Sequence, residues 1–305
     1  MGFADTTSAA AATAQVKPFF DKETCTCQFV VWDADTRRAA VIDPVLDFDM
    51  ASGKLSTTNA QSLIAFVREQ GLSVDFILET HVHADHLTSS QYIKKHLGGT
   101  AQICIGEGIT KVQDTFRRIY GLGDSFPCDG SQFDRLLKDN DELPLGSMTI
   151  RVMHSPGHTP DHLAYLIGDA LFVGDSLFMP DVGSARCDFP GGSATTLFAS
   201  VHKRFWTLPD TTRVFVGHDY PSGRDAQWVA TIGEQKRTNK HVNAAVSESE
   251  FVAMRTARDS TLSAPRLLHY SLQVNMRAGK FDVDPDSGDL ALLVRVPLRI
   301  PKAMF

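Results

Sequence analysis

Seven side chains able to hold a metal ion recur along this chain in a fixed order. The first four lie in Thr80-His81-Val82-His83-Ala84-Asp85-His86. His158 follows within Ser155-Pro156-Gly157-His158-Thr159-Pro160, then Asp175 in Val173-Gly174-Asp175-Ser176, then His218 in Val216-Gly217-His218-Asp219-Tyr220. Imidazole and carboxylate donors suit zinc or ferrous iron at neutral pH. Each group directly follows a short apolar run, so strand ends are expected to present all of them on one rim.

The elements needed to position them can be read from periodicity. Gln28–Trp32 and Ala39–Pro44 read as paired strands, the second ended by Asp43-Pro44. Asn59–Gln70 reads as a helix with Leu63, Phe66 and Val67 on one face. Val74–Leu78 is a short buried strand that runs into the histidine cluster. Thr88–Leu97 reads as a helix, Ala101–Ile105 as a strand and Ile109–Tyr120 as a helix. Few strand signals appear over residues 109–142. A similar unit follows, with strands at Met148–Val152, Leu163–Ile167 and Ala170–Val173, a helix at Thr195–Leu208 and a strand at Arg213–Val216. The tail reads as helical or mixed over Ala226–Lys236, Glu248–Ala257 and Ala264–Asn275, and as strand-like over Leu290–Val296. Two β-rich halves with helices outside predict an α/β chain folded as a four-layer αβ/βα sandwich, with the metal between the halves.

At 305 residues, 43% hydrophobic and 22% charged, the chain can bury a large core. Its formal net charge of -6 does not favour nucleic acid or an anionic membrane. No apolar run approaches the roughly 20 residues of a membrane span. Residues 1–16 are rich in Ala and Thr, without a basic start or long apolar core. They read as a flexible lead, and residues 17–305 as one domain with an extended C-terminal region. Cys25, Cys27, Cys104, Cys128 and Cys187 are odd in number and widely spaced, so reduced thiols and a cytoplasmic setting are expected.

Two chemistries compete at such a site. In one, two metals activate a water and polarise a thioester carbonyl, with Asp175 bridging, His158 at the first position and His218 at the second. In the other, a single ferrous ion keeps open positions for a thiol-type substrate and dioxygen. Residue types alone lean towards hydrolysis, because ligands for two metals are present.

The motifs His81-Val82-His83-Ala84-Asp85-His86, His158, Asp175 and His218 resemble those of the metallo-β-lactamase fold superfamily. The stretches Leu78–Leu87, Ser155–Pro160 and Gly183-Ser184-Ala185-Arg186-Cys187-Asp188-Phe189 are most similar to its persulfide dioxygenase branch, which includes bacterial β-lactamase-like proteins linked to sulfide detoxification. Ala84 suits that branch, whereas the related hydroxyacylglutathione hydrolases commonly carry a bulkier residue there.

The resemblance implies a metallo-β-lactamase sandwich with one Fe(II) held by His81, His158 and Asp175. It implies oxidation of glutathione persulfide with dioxygen and water to sulfite and glutathione, and a homodimer. His83, Asp85, His86 and His218 then form a surrounding network or a second metal site. Zinc enters under the alternative, a binuclear hydroxyacylglutathione hydrolase. Arg186 and Asp188 are expected to order a loop or sense substrate charge, and Cys187 is not needed as a nucleophile. Asp161-His162 departs from the Gly-then-Cys-or-His of related chains, and His162 is not expected to be a ligand. Arg277 and Asn275 are candidates for holding the glutathione carboxylates. No cysteine motif of a fused rhodanese is apparent.

Overall fold

The central strands are buried on both faces, and their alternation assigns each side chain to one of two cores. In this computed structural model residues 13–283 and 286–298 are described. The first half runs β1 (Gln15–Asp21), β2 (Thr26–Trp32), β3 (Arg38–Ile42), β4 (Val45–Asp49), β5 (Lys54–Ser56), α1 (Thr58–Glu69), β6 (Ser73–Leu78), β7 (Leu87–Thr88), α2 (Ser90–His96), β8 (Gln102–Gly106), α3 (Ile109–Tyr120) and β9 (Arg135–Leu137). The second runs β10 (Glu142–Leu145), β11 (Met148–His154), β12 (Leu163–Ile167), β13 (Ala170–Phe172), α4 (Ala194–Arg204), β14 (Arg213–Phe215), β15 (Val229–Thr231), α5 (Ile232–Thr238), α6 (Glu248–Asp259), α7 (Leu268–Asn275), β16 (Asp282–Val283) and β17 (Leu290–Ala291).

Two six-stranded sheets result, in the orders β1-β2-β3-β6-β8-β9 and β10-β11-β12-β13-β14-β15. Successive residues of a strand face opposite ways. Phe29, Val31, Ala40 and Ile42 therefore meet Ile150, Val152, Tyr165 and Phe172 between the sheets. Val30 and Val41 point outward to Leu63, Val112 and Phe116 of the helices. On the far side Leu171 and Val214 pack against Leu197, Val201 and Phe251. These three cores separate four layers, helix, sheet, sheet and helix, as the sequence predicts.

Several boundaries differ from the sequence reading. Thr88 does not open a helix but pairs, with Leu87, against β4, so α2 starts at Ser90. The strand β1 begins at Gln15, inside the stretch read as a lead. It is an edge strand, where Pro18 costs no ladder bond. Residues 1–12 lie outside the described residues. Residues 109–142 close with β9, which completes the first sheet, and β10 opens the second. The strand-like tail is reduced to Leu290-Ala291.

The loop that carries His158 is wedged tightly against α4. Gly157 has φ +140, and a Cβ there would lie 2.4 Å from the backbone N and Cα of Leu197. Gly157→Ala is therefore expected to cost about 3 kcal/mol through strain and overpacking. Chemical denaturation should show this as a lower midpoint with an unchanged slope.

Candidate metal centre

All four ligand groups emerge from strand ends. The loop after β6 carries His81, His83, Asp85 and His86. The β11–β12 loop carries His158, a single helical turn after β13 carries Asp175, and His218 follows β14. Thr26 at the start of β2 forms an isolated bridge with His218, which ties the two halves together at the rim.

Hydrogen-bond partners assign the proton on each ring, since carbonyl and carboxylate oxygens can only accept. His158 Nδ1 donates to Arg186 O at 2.7 Å, and His218 Nδ1 to Cys25 O at 3.1 Å. His86 Nδ1 faces Asp85 Oδ2 at 3.1 Å. The Thr80 hydroxyl donates to Asp43 Oδ2, so it accepts from His81 Nδ1 at 3.0 Å. His83 is turned the other way, with Nε2 donating to Asp43 Oδ1 at 2.9 Å.

The second nitrogen of each ring therefore faces inward, and on His83 the Asp43 and Glu79 carboxylates favour a second proton there. Four atoms of the group, His81 Nε2, His83 Nδ1, His86 Nε2 and Asp175 Oδ1, are buried without a hydrogen-bond partner. Buried polar atoms left bare are costly unless something else meets them. The donor set fits a metal centre, with outer partners holding each ring as such sites require.

The donors divide unevenly. One atom each from His81, His158 and Asp175 lie within 4.8 Å of one another. His83 falls outside that group. It clusters with Asp85 and His86, and on its other side with Asp43 and Glu79. Burial disfavours charge on His83, but the Asp43 carboxylate, its hydrogen bond and Glu79 together raise its pKa to about 10. Burial pushes the Glu79 carboxyl up to about 7. His81 is held well below the usual histidine range by burial and by the neighbouring imidazoles. The Asp175 carboxylate spans the centre, with Oδ2 3.7 Å from His158 Nε2 and Oδ1 3.4 Å from His218 Nε2.

A cavity of about 450 Å³ opens onto Asp85, His158, Asp175 and His218. Phe178 and Tyr220 form an apolar wall, and Arg258, Arg266 and His241 stand in the rim. Arg186 grips Asp188 at two points, each 2.6 Å, and donates its third nitrogen to Ser263 O. Its fork is thereby spent on ordering the loop. Burial pushes the Cys187 thiol up to about 12, so it is no thiolate nucleophile at neutral pH.

The structure corrects the placement of Asn275 and Arg277. Asn275 is buried, and its side chain bonds the backbone of the histidine loop. Arg277 pairs with Asp282 and lines a separate cavity. The cations beside the centre come instead from α6 and the segment after it.

Sequence reasoning also missed the buried Arg255, which pairs with Asp259 and donates to Ser184 O. Its i,i+4 spacing reads as an ordinary surface pair. His241 was missed as well. Its Nδ1 accepts from Ser184 N at 3.1 Å, so its proton sits on Nε2. Burial, with Arg255 and Arg258 nearby, lowers His241 to about 4. Its contribution to stability is present above the ordinary histidine pKa and is lost as pH falls from about 6.5 towards 4. Wild-type protein should lose thermal stability through that window more steeply than His241→Gln. Parallel melting curves would count against this account.

Residues 24–218 match the metallo-beta-lactamase superfamily model. The chain belongs to this superfamily. It is 51% identical over 269 residues to the beta-lactamase hydrolase-like protein of Xylella fastidiosa (strain Temecula1), covering 88% of this chain. The chain spans only 61% of that relative's length. It is 45% identical to Glyoxylase B2 of Dictyostelium discoideum, over 95% of this chain and 98% of the relative. It is 29% identical to the mitochondrial persulfide dioxygenase ETHE1 of Bos taurus, over 87% of this chain and 88% of the relative. The solved structure of ETHE1 from Myxococcus xanthus superposes with a TM-score of 0.69 at 30% identity, covering 87% of this chain and all of that one. No helix among the described residues is long and apolar enough to cross a membrane.

Proposed function

We propose that this superfamily member is an iron-dependent dioxygenase of glutathione persulfide, which with dioxygen and water gives sulfite and glutathione. The observation that carries this reading is the separate group formed by His81, His158 and Asp175, with His83 outside it. Two histidines and one carboxylate on a single face are the donor set of non-haem Fe(II) oxygenases. Iron held there would supply open positions for the persulfide sulfur and dioxygen.

The chain's own residues supply the surroundings. Thr80, Asp43 and the Arg186 carbonyl hold the ligand rings in one tautomer. Phe178 and Tyr220 limit water at the cavity wall. Arg258 and Arg266, which form no ion pair among the described residues, give the rim a positive charge suited to the carboxylates of a peptide thiol.

A second reading, hydroxyacylglutathione hydrolysis at two metals, has its own support. Asp85 Oδ2 and Asp175 Oδ1 both lie 3.4 Å from His218 Nε2, and His86 Nε2 is also bare. The names of the relatives at 45% identity and above give this reading the wider backing.

Metal analysis of anaerobically purified protein, joined to two assays, separates the readings. One iron per chain with oxygen uptake on adding glutathione persulfide fits the dioxygenase. Two zinc ions, no uptake and rapid cleavage of lactoylglutathione would select the hydrolase. We further infer a cytoplasmic homodimer. A single-chain mass by light scattering at all concentrations would reject the dimer.

A further inference from the structure

His162 is fully buried beside the centre but contributes no donor to it. Both of its ring nitrogens are occupied. Nε2 lies 3.0 Å from the backbone N of Asp175, and Nδ1 lies 2.9 Å from Ser155 Oγ. A backbone N–H can only donate, so Nε2 is unprotonated and the proton sits on Nδ1, facing the serine hydroxyl. The same ring stacks on His81, with centroids 4.9 Å apart and planes 19° apart. It also meets the ring of His158 edge-on at 6.2 Å.

The backbone around it is shaped to admit this ring. Gly174, next to Asp175, has φ +47. A Cβ there would lie 2.9 Å from His162 Nε2 and 2.6 Å from Thr80 Oγ1. One imidazole thus touches all three residues of the group His81, His158 and Asp175, and the chain gives up a side chain at position 174 to seat it.

We propose that His162 is a positioning residue that fixes the distance between His81 and Asp175, and so the bite of the three-donor face, without bonding the ion. The hydrogen bond sets the height of the Asp175 backbone, and the stack sets the tilt of the His81 ring. The proposal rests on the reading that an ion is held by these three residues, and not on which reaction follows.

The test uses Co(II) added to metal-free protein, read by visible absorption and by competition with a chelator. Glutamine can place its amide oxygen near the position of Nε2, whereas phenylalanine keeps a ring but no acceptor. His162→Phe should weaken Co(II) binding about 10–100-fold and shift the absorption bands. His162→Gln should recover most of the affinity. Ser155→Ala removes the hydroxyl that fixes the proton on Nδ1. It should shift the bands in the same direction by less, which covers the case in which His162→Phe does not fold. Wild-type affinity and spectrum in His162→Phe, or in Ser155→Ala should the first not fold, would overturn the proposal. Equal weakening in the Phe and Gln variants would do the same, because a purely structural role does not distinguish an acceptor from a ring. Oxygen uptake by the wild-type protein is measured separately, so failure of the dioxygenase reading leaves this comparison standing.

Discussion

Asp175→Ala should abolish metal binding and lower turnover by on the order of 10³-fold or more. Metal-borne charge stabilisation is worth several kcal/mol, and each 1.36 kcal/mol is a factor of ten in rate. Asp175 is a donor in both readings, and its two oxygens face His158 and His218. His83→Ala divides them. With one ion on His81, His158 and Asp175, the variant keeps its metal, and turnover changes only through the outer network. With two ions, removing His83 Nδ1 takes a donor from the binuclear centre, and metal content falls. Metal analysis and steady-state rates on the two variants are sufficient. A fully active Asp175→Ala protein would defeat every metal-based account of this cavity.

Asn275→Ala is expected to carry the largest cost to stability. The amide nitrogen donates to His83 O and His86 O, each at 2.8 Å, and its oxygen accepts from Thr88 N at 2.9 Å. Truncation leaves three buried backbone groups unpaired, at about 1–3 kcal/mol each. The loss should therefore reach about 3 kcal/mol or more, with metal affinity lower by about 10–100-fold because the histidine loop is no longer held. Asn275→Asp keeps the acceptor but turns a carboxylate towards two carbonyl oxygens, so it should rescue nothing. Denaturation midpoints and chelator competition provide the readout. A raised KM with wild-type stability would instead restore Asn275 as a substrate contact.

These two residues mark the limits of what the sequence discloses. Asp175 is legible because ligand chemistry needs a particular side chain directly after a buried strand, and Val173-Gly174-Asp175 states both conditions. The strands are legible for a related reason: β11 alternates buried with exposed residues, while β6 and β12 are mostly apolar runs largely buried on both sides. Asn275 carries no such mark. Its partners are carbonyl and amide groups 192, 189 and 187 residues earlier in the chain, and backbone groups leave no pattern in a sequence. Asp43 was read only as the end of β3, yet it orients both Thr80 and His83. Leu87-Thr88 has helix-compatible neighbours, and only its pairing with β4 makes it a strand. Arg255 is hidden differently, because a surface ion pair and a buried one have the same spacing.

The ligands are split between the halves of the molecule. His81 belongs to the first sheet, and His158 and Asp175 belong to the second. An ion bound by all three acts as a cross-link between segments 77 residues apart, as well as a reagent. Binding to the folded form alone adds stability in proportion to the logarithm of free metal over its dissociation constant, about 2.7 kcal/mol at a hundredfold excess. Metal supply would then govern how much of this protein survives in a cell as well as how fast it turns over. Scarcity would loosen the seam between the sheets at the same time as it stopped turnover.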